Sequence, residues 1–189
     1  IEEEALSPTF KVSIPTGISK LDAALTGGLD KGKMGILIGS AGFGKSTFST
    51  CIASHASTCR CEANNYEGFK VLQIYFEDDD VDITRKHFAR ITQTEARFMK
   101  RLDIANRDEI EHKLMSHPDK DMIGENLRLK HFRSGTKTAS DIEVFIKKLI
   151  NRGFKPYLVT IDYFECIAPE KGGNSTDSQR LKEGVTMRK

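Results

Sequence analysis

Gly39-Ser40-Ala41-Gly42-Phe43-Gly44-Lys45-Ser46 fits the pattern G-x-x-x-x-G-K-[ST], and it follows directly on the apolar run Met34-Gly35-Ile36-Leu37-Ile38. A glycine-rich turn between an apolar strand and a helix is a phosphate-binding loop. Glycine takes backbone conformations that a Cβ forbids, so consecutive amide N–H groups turn inward around an anion. In such a loop Lys45 reaches the β- and γ-phosphates as a point charge, and the Ser46 hydroxyl meets Mg²⁺. Thr47, the next residue, is expected at the α-phosphate. The helix opening near Lys45 adds the positive end of its dipole to the same anion. Gly39, Ser40, Ala41, Gly42, Phe43, Gly44, Lys45, Ser46 and Thr47 are therefore the expected nucleotide site, with ATP and Mg²⁺ as ligands.

The 189 residues include 38 % hydrophobic and 30 % charged side chains, a globular composition with length enough for a proper core. No apolar run approaches the ~18 residues that a membrane span requires, and Ile1-Glu2-Glu3-Glu4 is unlike a signal peptide. The expected location is the cytoplasm, with no membrane partner. A net charge of +2 neither marks nor excludes a nucleic-acid partner. Cys59-Arg60-Cys61 is too close for an ordinary disulfide, and with Cys51 and Cys166 it is expected as free thiol. His55 beside Cys59 and Cys61 matches no familiar zinc spacing. The chain begins without Met and stops on Met187-Arg188-Lys189 within a helix-like pattern, so it is expected to be a piece of something longer.

Residues 1–13 read as an arm or linker and 14–189 as one domain. Ile18, Leu21 and Leu25 share one face of a short helix that Gly27-Gly28 ends. Met34 to Ile38 is expected as the first core strand and Lys45 to Ser57 as the loop's helix. Lys70 to Phe76, rich in β-formers, is a second buried strand that runs straight into Glu77-Asp78-Asp79-Asp80. An amphipathic helix with Ile83, Phe88 and Ile91 follows. Helices are expected near Thr94–Leu102 and Asp108–Ser116, with Pro118 and Gly124 breaking the pattern. Leu127 to Phe132 is a third strand. Ser140 is expected to cap a helix over Asp141–Arg152, and Tyr157 to Ile161 is a fourth strand closed by Asp162. Strands alternating with helices predict an α/β fold, mainly a parallel sheet with helices on both faces.

Two strand ends carry the remaining chemistry. Tyr157-Leu158-Val159-Thr160-Ile161-Asp162 is a Walker B pattern, a buried strand that delivers one carboxylate where ligands of such sheets bind. Mg²⁺ prefers oxygen and keeps several waters, so Asp162 is expected to serve it from the second shell or through water. Hydrolysis also needs a group to activate water, and Glu77 at the end of the second strand is the expected base, with Asp78 in reserve. Arg85 and Arg90 are expected to pair with acids such as Asp82 rather than with phosphate.

Together these residues resemble the C-terminal ATPase domain of DnaB-type replicative helicases, in the RecA-like group of P-loop ATPases. The resemblance starts at Ile14-Pro15-Thr16-Gly17, Leu21-Asp22, Gly27-Gly28-Leu29 and Gly32. It passes through the P-loop and Tyr75-Phe76-Glu77, and reaches Ile161-Asp162-Tyr163-Phe164-Glu165-Cys166-Ile167, similar to the family's I-D-Y-L-Q-L segment. Ser178-Gln179-Arg180-Leu181-Lys182-Glu183 falls where that family places its next helix. Three features depart from the pattern: Lys45-Ser46 replaces a common Lys-Thr, Glu165 replaces a usual glutamine, and Asp78-Asp79-Asp80 makes the strand end more acidic. Paired acids there are similar to KaiC-like members. The segment between Thr92 and Asn126 has no clear counterpart among the family's motifs.

The resemblance implies a RecA-like ATP hydrolase with Lys45 and Ser46 on phosphate and Mg²⁺, Glu77 activating water and Asp162 serving the metal. It also implies a hexameric ring with ATP between subunits, a neighbour's arginine finger, movement along single-stranded DNA with duplex unwinding, and a primase or helicase loader as partner. The DNA-binding loops and finger arginine would follow the last residue here. A RecA- or KaiC-like recombinase or regulatory ATPase stays open as the alternative, and a P-loop small-molecule kinase behind it.

Overall fold

Every residue of Val71–Tyr75 (β3) is buried, and its register explains why. In the computed structural model, which describes residues 12–99 and 104–169, β3 pairs in parallel on both sides. Leu127–His131 (β4) lies along one edge and Leu158–Asp162 (β5) along the other, giving the order β4-β3-β5. A strand flanked on both edges and covered on both faces has no solvent side, so its sequence shows no polar alternation. Val71 opposes Leu127 and Leu158 at one end, and Tyr75 opposes His131 and Asp162 at the other.

The two faces of β3 meet different helices. Leu72, Ile74 and Phe76 pack with Ile142, Phe154 and Cys166, and Phe145, Ile146 and Leu149 of Ala139–Asn151 (α7) close that core. Val71 on the opposite face packs with Phe69 and Ile14, and with Ala53 and Ala56 of Lys45–Thr58 (α2). Each large apolar side chain so enclosed contributes about 1.5–3 kcal/mol. The helix expected after the acidic run is Asp80–Thr92 (α3), N-capped by Asp79, which accepts from the Asp82 amide at 2.7 Å. Ala96–Met99 (α4), Ile104–Met115 (α5) and Lys120–Asn126 (α6) lead on to β4. Residues 1–11 of the arm expected over 1–13, and Ser178–Glu183, lie outside the described residues, while Ser13 is part of a strand.

In the lead-in, Ser13–Ile14 (β1) and Leu29–Asp30 (β2) form an antiparallel pair around Ser19–Ala24 (α1). Asp22 holds this turn by accepting from the Thr16 amide at 2.8 Å and its hydroxyl at 2.6 Å. Gly28 at φ +130° lies so close that a Cβ would stand 2.2 Å from the Ile14 carbonyl oxygen. Only glycine fits there.

Three expectations are corrected. Met34–Ile38 is not a strand: it forms no ladder, and Met34 and Ile38 are 86 % and 89 % exposed. A short apolar run specifies a strand only where a partner edge receives it, and the described sheet ends at β5 with its outer edge unpaired. Gly124 does not interrupt structure, since α6 runs through it; a single glycine costs a helix only about 1 kcal/mol. The cap of α7 is Thr138 rather than Ser140. The Thr138 hydroxyl accepts from the Asp141 amide while the Asp141 carboxylate accepts from the Thr138 amide, both at 3.1 Å, a reciprocal box that one hydroxyl alone cannot match.

Between α2, β3 and α3 lies a buried polar chain. Gln73 donates to Thr50 Oγ1 at 3.2 Å, which turns its carbonyl oxygen toward His87 Nε2 at 2.9 Å. His87 therefore carries its proton on Nε2, and Nδ1 accepts from Ser54 Oγ at 2.7 Å. A neutral ring satisfies every partner. Burial pushes the His87 pKa down from 6.5 to about 4. Between those values the unfolded chain binds more protons than the folded one, so stability present at neutral pH is lost as pH falls through that window. The loss is at most about 3 kcal/mol. Denaturant unfolding at pH 7 and pH 4.5 should show a smaller acid loss in His87→Gln than in the parent chain. Equal losses would remove His87 from this role.

Candidate active site

The glycine-rich loop is exposed and opens directly into α2, whose first residue is Lys45. Gly42 and Gly44 have φ of 80° and 83°, and a Cβ at either would meet nothing within 4 Å. Backbone conformation, not space, requires glycine there. Gly44 is the N-cap and supplies no side-chain acceptor to the first turn of α2, which leaves those amides for an anion. Lys45 folds back over the loop, and its Nζ donates to the Gly39 carbonyl at 2.8 Å and the Ser40 carbonyl at 3.0 Å. The ammonium thus lies across the cradle that the expected phosphates would enter. Ser46 is half-buried, and Thr47 is exposed on the same turn.

Because Met34–Ile38 joins no ladder, the loop is held to the sheet through its helix. Ala53 and Ala56 seat α2 on the sheet's core. Thr50 bonds Gln73 in the middle of β3, and Ser54 reaches His87 on α3. The loop's register against the sheet rests on these side chains.

Glu77 and Asp162 are brought together at the C-terminal ends of β3 and β5. The ladder places Asp162 opposite Tyr75, and the Phe76 amide donates to the Asp162 carbonyl at 3.0 Å. Sequence inspection assigned no role to Tyr163, yet its hydroxyl donates to Glu77 Oε1 at 3.1 Å. The signal was its position directly after Asp162, the residue that ends the strand bordering β3. Its phenol is pushed up by hydrogen bonding with Cys166 and then with Glu77, so it stays a protonated donor.

The acidic run Glu77–Asp80 separates into distinct tasks. Asp78 pairs with Lys86. Asp79 caps α3. Asp80 accepts from the Tyr75 hydroxyl at 2.5 Å, and burial together with this bond pushes the Tyr75 phenol up. Glu77 is exposed at the strand end with a neutral hydroxyl as its hydrogen-bond partner, and unlike Asp80, which also meets a phenol, it precedes α3. Arg85 pairs with Asp82 at 3.3 Å, as the i,i+3 spacing predicts.

The described cysteines are free thiols. Among the described residues no group of three or more His, Cys, Asp or Glu side chains is arranged to hold a metal. No helix among them is long and apolar enough to cross a membrane.

No curated protein matches the chain. The sequence pattern of the DnaB-like helicase C terminal domain matches residues 13–186, which takes in the lead-in, the glycine-rich loop and both carboxylate-tipped strands. The parallel sheet with α2 and α3 on one face and α7 on the other is the RecA-like arrangement that this match implies. The chain belongs to the family of DnaB-like helicase C-terminal domains.

Proposed function

We propose that this chain is the ATP-hydrolysing motor domain of a hexameric replicative DNA helicase, coupling turnover to translocation on single-stranded DNA and duplex unwinding. The observation that carries the reading is the meeting of Glu77 and Asp162 at adjacent strand ends, on the sheet that also seats the P-loop helix. Backbone amides of Gly39–Ser46 and the Lys45 ammonium hold the triphosphate. Thr47 lies at the α-phosphate. Glu77 takes the proton of a water as its oxygen bonds the γ-phosphorus and the bond to the β-phosphate oxygen breaks, releasing ADP and phosphate.

Ser46 and Asp162 fit Mg²⁺, because a hydroxyl and one carboxylate are the hard oxygen donors this ion takes. Bound there, Mg²⁺ would neutralise phosphate charge, with Ser46 holding it directly and Asp162 directly or through water.

A KaiC-like regulatory ATPase is the second reading, favoured by the extra acids after Glu77. Their engagement with Lys86, the α3 amides and Tyr75 gives them structural work and weakens that reading. A ring of identical subunits, with ATP between neighbours, and a primase or loader complete the proposal. The test is the ATPase rate of the full-length protein with and without single-stranded DNA, beside a fork-unwinding assay. Stimulation with unwinding is the expected result. Absence of both would favour the regulatory reading.

A further inference from the structure

We propose that Tyr163 is the positioning residue for Glu77: its hydroxyl holds one carboxylate oxygen and leaves the other to meet the attacking water. The inference rests on the reading of Glu77 as the base. Three observations carry it. The Tyr163 hydroxyl donates to Glu77 Oε1 at 3.1 Å. The Phe76-to-Asp162 backbone bond locks the two strand ends side by side, so this contact is set by the ladder. The Tyr163 ring packs on the core that holds Leu72, Ile74, Phe76 and Cys166, so its hydroxyl stands on a fixed base.

The turn after β5 secures the same residue from behind. The Cys166 amide donates to the Tyr163 carbonyl at 3.1 Å, and the Gly135 amide from the loop before α7 donates to the Cys166 carbonyl at 2.8 Å. An exposed glutamate otherwise spends its rotamers in solvent, and ordering it costs side-chain entropy. Tyr163 meets that cost before substrate arrives.

The chemistry of the donor matters. A lysine or arginine in this place would lower the carboxylate pKa by about 1–3 units and weaken it as a base. A neutral phenol orients the carboxylate with a smaller loss of basicity. Asp78 is held by a cation, Asp79 by a helix N-terminus, and Asp80, already within α3, by the Tyr75 phenol; Glu77 is the one that stays at the strand end.

The experiment is Tyr163→Phe in the full-length assembled protein, which keeps the ring and removes only the hydroxyl. Single-turnover hydrolysis should slow about tenfold while ATP affinity and Tm stay unchanged. Combined with Glu77→Gln, the second substitution should add no further loss. An unchanged rate, or losses that add in the double variant, would each overturn the inference. Glu77→Gln retaining full turnover would instead sink the base assignment, and the positioning role with it.

Discussion

Lys45→Ala abolishes ATP binding at ordinary nucleotide concentrations, with affinity falling a hundredfold or more. The Lys45 ammonium now lies on the Gly39 and Ser40 carbonyls, where it is within reach of the anion the loop encloses. A charge-assisted hydrogen bond contributes about 1.5–3 kcal/mol, and a lysine shared between two phosphates makes more than one. Stability should barely change, because both bonds that Lys45 makes lie on the exposed loop and no apolar core depends on it. Titration of a fluorescent ATP analogue, with thermal unfolding as the control, checks both halves. Unchanged affinity would remove the Gly39–Ser46 loop from its assigned role.

Glu77→Gln leaves ATP bound and stops its turnover. The amide matches the carboxylate in size and can still accept from the Tyr163 hydroxyl, so the strand end keeps its arrangement. It cannot take a proton from water, and loss of a general base lowers the rate by about 10²–10⁴. Single-turnover hydrolysis together with equilibrium nucleotide binding separates these effects. Undiminished turnover would move the base elsewhere, and Asp78 is a poor substitute while Lys86 neutralises it. The same substitution at Asp79 would act mainly on the α3 cap, which distinguishes a chemical loss from a structural one.

Much of the architecture was legible because it is written locally. Val71–Tyr75 and Leu158–Asp162 are short, mainly apolar runs and Leu127–His131 alternates leucine with basic residues; each is found as a strand within a residue of the expected bounds. Helix α7 follows the spacing of Ile142, Phe145, Ile146 and Leu149, all of which face the core around β3. Its start was misread by two residues because Thr138 and Asp141 cap it together, and reciprocity between two side chains is less visible than one hydroxyl.

Met34–Ile38 failed for a different reason. Its composition is as apolar as that of β3, but a strand exists only through the ladder that receives it, and no described strand does. The buried chain Thr50–Gln73–His87–Ser54 was equally hidden. Its members are scattered over three elements, and nothing in the spacing of a lone histidine shows that a glutamine and a serine will meet its two nitrogens.

The sequence by itself determined that this chain carries a phosphate loop, an acidic strand end and a strand closed by aspartate, because each is a contiguous pattern whose chemistry needs only neighbouring residues. It singled out Glu77 by its place at the strand end, with Asp78 in reserve, but it did not show what each acid of the run would meet. Tertiary structure decided that. Lys86, the amide of Asp82 and the hydroxyl of Tyr75 engage three of them, while Tyr163, just past the end of another strand and eighty-six residues away, turns to the fourth. Which carboxylate is left to act on water depends on what each one meets, and those partners are brought together only by folding.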